Sequence, residues 1–191
     1  EGTTSGKDIL GFPLTHTNNG WLNLSGSEYV IASDFTLPAG NESRTMECWV
    51  KVPSNQPDWA VAFSYGKETS DDACMLTLTD GGGGGLFFMG KWGTNSGYST
   101  TAMDDNEWHH LVMTIASDGT ANVDIAFYLD GETDGTSANF ATVSTELNQL
   151  VIGSTPNASL YHMEGSIDEV RVYNRVLSAA EITKNYKHGL S

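Results

Sequence analysis

Glu164, Asp168 and Glu169 stand close together near the end of a 191-residue chain, and carboxylates at that spacing call for a test of glycoside hydrolysis. Retaining glycosidases need two carboxyl groups about 5 Å apart, one protonated and one free to attack. On a β-strand, residues four apart share a face, so Glu164 and Asp168 fall on one side and Glu169 on the other. Ser166 stands between the first two, where a further acid would serve that chemistry. Other catalytic patterns are absent. There is no Gly-x-Ser-x-Gly for a nucleophile elbow and no His-Glu-x-x-His for a metal hydrolase. The chain reads as non-catalytic.

Sugar recognition asks for different residues: an aromatic face against the apolar side of the ring, bordered by polar groups for its hydroxyls. Three polar stretches supply such sets: Asn55, Gln56 and Asp58 with Trp59; Trp92, Asn95 and Tyr98; Asn157, Tyr161 and His162. Trp92 and Tyr98 lie among Gly, Ser and Asn with few apolar neighbours to bury them, so they lead, followed by Trp59 and Tyr161. The competing use of each ring is as a core residue. The glycines at 81–85 follow Asp80 and read as a hairpin tip or as a close approach of backbone to a ligand. They are not a phosphate cradle, because no Lys-Ser/Thr follows and no helix begins there.

The bulk numbers narrow the classes. Twenty-four Asp and Glu against nine Lys and Arg leave a net charge of −15, which repels nucleic acid and anionic membrane surfaces alike. That acidity serves solubility, or some of the carboxylates hold Ca²⁺. No run of about 18 apolar residues is present to span a bilayer. The chain begins with Glu rather than Met and shows no secretory signal, as expected of a mature form or an excised module. Cys48 and Cys74 allow one pairing; a disulfide needs their strands to be neighbours with matched Cβ positions, and two buried free thiols are the alternative. Zinc is disfavoured, since neither Cys-x-x-Cys nor His-x₃-His spacing occurs.

These residues must be positioned by short strands. Residues 21–33 hold two, around a turn at Ser25–Ser27. In 45–52, Met46, Cys48 and Val50 face one way and Glu47, Trp49 and Lys51 the other. Strands follow at 59–65, 74–79, 86–92, 107–116, 123–129 and 150–153. Trp108 is expected in the core, and one of His109 and His110 is expected to point inward with its hydrogen bonds satisfied. In 164–174, Ile167, Glu169, Arg171 and Tyr173 alternate with Asp168, Val170, Val172 and Asn174. Ser178 then reads as an N-cap with Glu181 three residues on, opening one short helix onto which Leu177 and Ile182 clip.

Gly165, Ile167, Asp168, Glu169, Val170, Arg171, Tyr173, Asn174, Arg175, Leu177 and Ser178 together resemble the closing motif of laminin G-like domains in the concanavalin A-like lectin/glucanase superfamily. Leu24, Gly26, Ser27, Tyr29 and Val30 resemble that family's opening segment. Trp49-Val50-Lys51, Trp108-His109-His110 and Asp130-Gly131 resemble its inner strands and turn. The resemblance runs from residue 20 to residue 188. It implies an all-β fold, an antiparallel two-sheet jelly-roll sandwich with one short C-terminal helix. Residues 1–191 then form one domain, with 1–20 as an arm packed on it.

The resemblance also implies that Glu164–Glu169 belong to a closing strand rather than a catalytic one. It carries over a structural Ca²⁺ held by Asp168 with backbone carbonyls from Gly26 to Glu28, completed by the side chain of Glu28 or Asp8. On strict alternation Asp168 shares a face with Val170 and Val172, where a lone charge is costly. A hydrogen bond to a neighbouring loop is the alternative. The expected function is a non-catalytic, glycan-binding module of a secreted enzyme or cell-surface adhesin, extracellular, with a glycan and the parent's other domains as partners. A structural or protein-binding module is the rival, and a glycoside hydrolase the third reading.

Overall fold

The computed structural model describes residues 20–33, 36–54, 56–67, 73–79, 87–90, 97–103, 105–119, 122–141, 145, 149–158 and 160–190, with backbone alone at 87–90, 97–98 and 136–141. The expected arm, Gly20 excepted, and the five-glycine run lie outside the described residues.

Alternating apolar side chains give strands with one buried face, and two such faces pack together. Among the described residues the strands are β1 (Leu22–Ser25), β2 (Val30–Ala32), β3 (Arg44–Lys51), β4 (Ala60–Gly66), β5 (Ala73–Thr79), β6 (Phe87–Gly90), β7 (Gly97–Tyr98), β8 (Trp108–Ser117), β9 (Asn122–Leu129), β10 (Glu132–Ala141), β11 (Leu150–Ile152) and β12 (Glu164–Tyr173). They form two antiparallel sheets, ordered β1-β12-β3-β8-β9-β10 and β2-β11-β4-β5-β6-β7. The jelly-roll sandwich is therefore present. β10, whose Thr, Asp, Gly and Ser residues carry no alternation, is an addition that the sequence reading lacks.

Met46, Cys48 and Val50 of β3 and Leu111, Met113 and Ile115 of β8 face Phe63 and Tyr65 of β4 and Cys74, Leu76 and Leu78 of β5. Burying each large side chain contributes about 1.5–3 kcal/mol. Cys48 and Cys74 sit on opposite sheets as buried free thiols, with Cys74 Sγ 3.1 Å from Met46 Sδ.

The closing strand departs from strict alternation. Ile167 pairs with Val50 and Asp168 with Trp49, yet Arg171 pairs with Glu47, so β12 carries one extra residue in between. Glu169 takes φ 49° at this bulge. The insertion re-phases the strand, so that Ile167, Val170 and Val172 all join the core and Asp168 faces outward. Gly165, part of the family motif, has φ 127°, and a Cβ there would collide with the Lys51 carbonyl oxygen.

Helix α1 (Ala179–Gly189) opens with the anticipated capping box between Ser178 and Glu181. Such a cap contributes about 1 kcal/mol. Leu177 and Ile182 pack on Val112 against the outward side of the first sheet. One expectation fails on this side. Trp108 is only half-buried, because its pairing with Lys51 turns it outward, where it meets the exposed Trp21 edge-on. His110 is fully buried, but neither ring nitrogen makes a hydrogen bond; it lies among Trp49, Tyr186 and Glu47.

Candidate ligand-binding rim

The segments that carry Trp59 and Tyr161–His162 are joined at β4 of the second sheet. The loop after β11 turns back on itself, with Met163 N–H donating to the Gly153 carbonyl (3.0 Å) and Ser154 Oγ to the Leu160 carbonyl (2.8 Å). It is fastened to β4 three times. Gly153 N–H donates to the Ala62 carbonyl (2.8 Å), Val61 N–H to the Tyr161 carbonyl (2.8 Å), and Ser64 Oγ to the Ser154 carbonyl (2.7 Å). Trp59 immediately precedes β4, its N–H donating to Asp58 Oδ1 (2.9 Å).

Trp59, Ala158 and Tyr161 hold φ of 67°, 56° and 55°. Left-handed backbone costs a residue with a side chain about 1–2 kcal/mol, and it persists where the surroundings over-determine it, often at ligand clamps. Trp59 and Tyr161 nonetheless stay 37% and 36% exposed. Tyr29, 44% exposed at the foot of β2, stacks on His162 with centroids 6.0 Å apart and planes at 21°. Tyr29 was absent from the sequence-derived candidates. Its signal is a large ring beside a strand of three residues, too short to bury it.

On the outward face of this sheet Val61, Ala73, Met75 and Thr77 of β4 and β5 are all buried. Tyr98 sits on the same cross-sheet row, through Val61↔Thr77↔Met89↔Tyr98, at the sheet's far edge. Three strand spacings put its backbone roughly 14 Å from Val61. Trp92, Asn95 and Asn55 lie outside the described residues. Gln56 is a brace, its Oε1 accepting the Glu164 N–H (3.1 Å), and Asn157 Oδ1 accepts from Thr155 Oγ1 (2.9 Å).

The described members of the expected calcium set stand apart along β12. β1 pairs with β12 from Leu22↔Ile167 to Ser25↔Glu164, so the Gly26 turn lies beyond Glu164, four residues from Asp168. That is roughly 13 Å along a strand. Asp168 Oδ1 instead accepts the Glu169 N–H (2.8 Å). Glu28 accepts the Ser25 hydroxyl and N–H at 2.7 Å, which hold its carboxyl below the usual range. Asp168, Glu28 and Gly26 are thus separate, and Asp8 lies outside the described residues. Among the described residues, no three His, Cys, Asp or Glu side chains converge as a metal site.

Two carboxylates do meet on the outward side of the first sheet. Arg171 spans them, Nη1 on Glu47 Oε1 (2.8 Å) and Nη2 on Glu169 Oε2 (2.6 Å). Tyr173 Oη and Asn185 Nδ2 also donate to Glu47 Oε1, at 3.0 and 3.2 Å. Both acids pair with one guanidinium.

The model of the Laminin_G_3 family, of the Concanavalin A-like lectin/glucanases superfamily, matches residues 24–183. No curated protein matches the chain. Among solved structures it is similar to domain 4 of AbnA, a GH43 extracellular arabinanase from Geobacillus stearothermophilus in complex with arabinotriose. The TM-score is 0.65 at 20% identity, covering 86% of this chain and 75% of that one. It is also similar to the Ruminococcus gnavus IT-sialidase CBM40 bound to α2,3-sialyllactose, with TM-score 0.59, 19% identity and 76% and 83% coverage. A heptameric SAP-like pentraxin from Limulus polyphemus gives TM-score 0.64, 14% identity and 84% and 78% coverage. At these identities the likeness establishes the shared fold.

Proposed function

The chain belongs to the Laminin_G_3 family of the concanavalin A-like lectin/glucanases superfamily, and from that premise we propose that it is a non-catalytic module that binds carbohydrate through its aromatic rim. One observation carries the reading: Trp59 and Tyr161 are exposed rings on left-handed backbone, in segments hydrogen-bonded to one another through β4. Such rings offer flat apolar faces at little entropic cost on binding. The sugars bound to the arabinanase domain and the sialidase module support the ligand class. The carboxylates clamped by Arg171 support a module without hydrolysis. A secreted enzyme or surface adhesin outside the cell is the setting in which a weak single site gains from repetition.

A glycan array followed by calorimetry on the retained sugar tests this. Trp59→Ala and Tyr161→Ala are each expected to weaken binding about tenfold while leaving the melting curve in place. Retention of no glycan, or unchanged affinity in Trp59→Ala, would overturn it. A second reading, protein docking, is favoured by the exposed Val30 and Ile31 on edge strand β2 beside Tyr29. Ile31→Asp would abolish docking and spare sugar binding.

A further inference from the structure

A second aromatic pair occupies the opposite sheet. Leu22, Leu24, Val50, Leu111 and Ile167 face the core, which turns Trp21, Asn23, Lys51, Trp108 and Ser166 outward. The pairings Asn23↔Ser166, Ser166↔Lys51 and Lys51↔Trp108 set four of them in one row across four strands. Helix α1 covers the neighbouring part of this face, where Tyr186 stacks on Trp49, and it ends with Gly189 against the same indole. Trp21 beyond it is 45% exposed and meets Trp108 at 5.9 Å and 69°. Its Nε1 donates to Asn23 Oδ1 (3.1 Å), which also accepts from Ser166 Oγ (2.7 Å).

We propose that this surface is a second carbohydrate-contact site, taking one sugar ring on the Trp21 indole. The ladder of hydrogen bonds and the edge-on Trp108 hold that indole in place before a ligand arrives. The groups around it retain hydrogen-bonding capacity. Asn23 spends its oxygen twice, and its Nδ2 donates to none of the described residues. Among the described residues Lys51 makes no ion pair, and Asp168 uses one oxygen on the Glu169 N–H. A protein partner is matched by contiguous apolar surface; here each ring is bordered by unspent donors and an acceptor. A sugar supplies both an apolar face and hydroxyls for those groups. Lys51, without an ion pair among the described residues of a chain of charge −15, adds a preference for sugars that bear a carboxylate. With the rim on the other sheet the module is bivalent, so a polysaccharide gains from both contacts. The inference shares only the ligand class with the rim and stands if the rim binds nothing.

The test is titration of the full chain with arabinotriose and with α2,3-sialyllactose, followed by tryptophan emission and calorimetry, beside Trp21→Ala, Lys51→Gln and Trp59→Ala. Trp21→Ala is expected to weaken this site about tenfold with an unchanged melting midpoint. Lys51→Gln, which disturbs no described contact, is expected to weaken sialyllactose severalfold and spare arabinotriose. Loss of binding in Trp59→Ala alone upholds the rim and overturns this site. Loss in Trp21→Ala alone does the reverse. Wild-type chain that binds neither sugar overturns it, as does a dimer in sedimentation that Trp21→Ala dissolves.

Discussion

Tyr186 of α1 lies nearly flat against Trp49 of β3, their ring centroids 5.5 Å apart and their planes 15° from parallel. His110 approaches both rings, so three aromatic residues from helix and sheet form one contact. Trp49 of β3 and His110 of β8 are thereby buried by a helix instead of offered to a ligand.

Helix docking is sensitive at the β9–β10 turn. Gly131 has φ 83°, and its carbonyl accepts from Thr183 Oγ1 (2.9 Å). A Cβ there would lie 3.1 Å from Tyr186 Cβ and 3.3 Å from Thr183 Cα. Gly131→Ala is expected to lower stability by about 1–3 kcal/mol in urea unfolding. Gly119, at φ 84° with open space around it, supplies the control. Its alanine variant should show the backbone strain alone, so equal losses would refute a helix contact at Gly131.

Beneath the helix, Glu47 is fully buried and depends on Arg171. Arg171→Ala strands that carboxylate and is expected to cost about 3 kcal/mol. Pairing it with Glu47→Met removes the orphaned charge, and most of the loss should return. A double variant no more stable than the single one would count against a charge-burial origin.

The adjacent histidines set opposite pH dependences. His109 sits between Asp130 Oδ2 at 2.8 Å and Asp105 Oδ1 at 3.0 Å, and the Asp130 hydrogen bond leads in pushing its pKa up to about 9. Its stabilisation is complete below the ordinary value of 6.5 and is lost as pH rises through about 9. Unfolding free energies of His109→Gln should lack that decline. Burial pushes the His110 pKa down. The unfolded chain therefore binds the proton first, and stability falls on acidification below 6.5. His110→Phe should flatten that acid limb; an unaltered limb would assign it to other groups.

Asp168 closes the bulge of β12. Asp168→Asn keeps an oxygen for the Glu169 N–H and is expected to change stability by less than about 0.5 kcal/mol. Wild type and variant should respond identically to added Ca²⁺ and to chelator. A calcium-dependent rise in melting midpoint that the variant abolishes would return Asp168 to ion binding.

Much of the frame is readable from local pattern. The inward set Met46, Cys48 and Val50, and the Ser178–Glu181 cap, follow from side-chain periodicity and from hydrogen bonds between residues three apart. The candidate rim is readable only as separate loops. Trp59 and Tyr161 are distant in the chain, and the bond from Val61 N–H to the Tyr161 carbonyl brings their segments together. β10 leaves no signal because its register shifts twice against β9, breaking the alternation that would announce it.

The amino-acid order by itself determined a succession of short strands, the inward set of β3 and the capped final helix, because each rests on backbone geometry between near neighbours. Tertiary structure decided the phase of the closing strand and the exposure of each ring. The extra residue in β12 exists only relative to its pairing with β3. Trp49 is buried because α1 lies on it, whereas Trp21, on the same outward face past the end of that helix, stays open. Burial is a property of what packs above a side chain, and no local spacing encodes that.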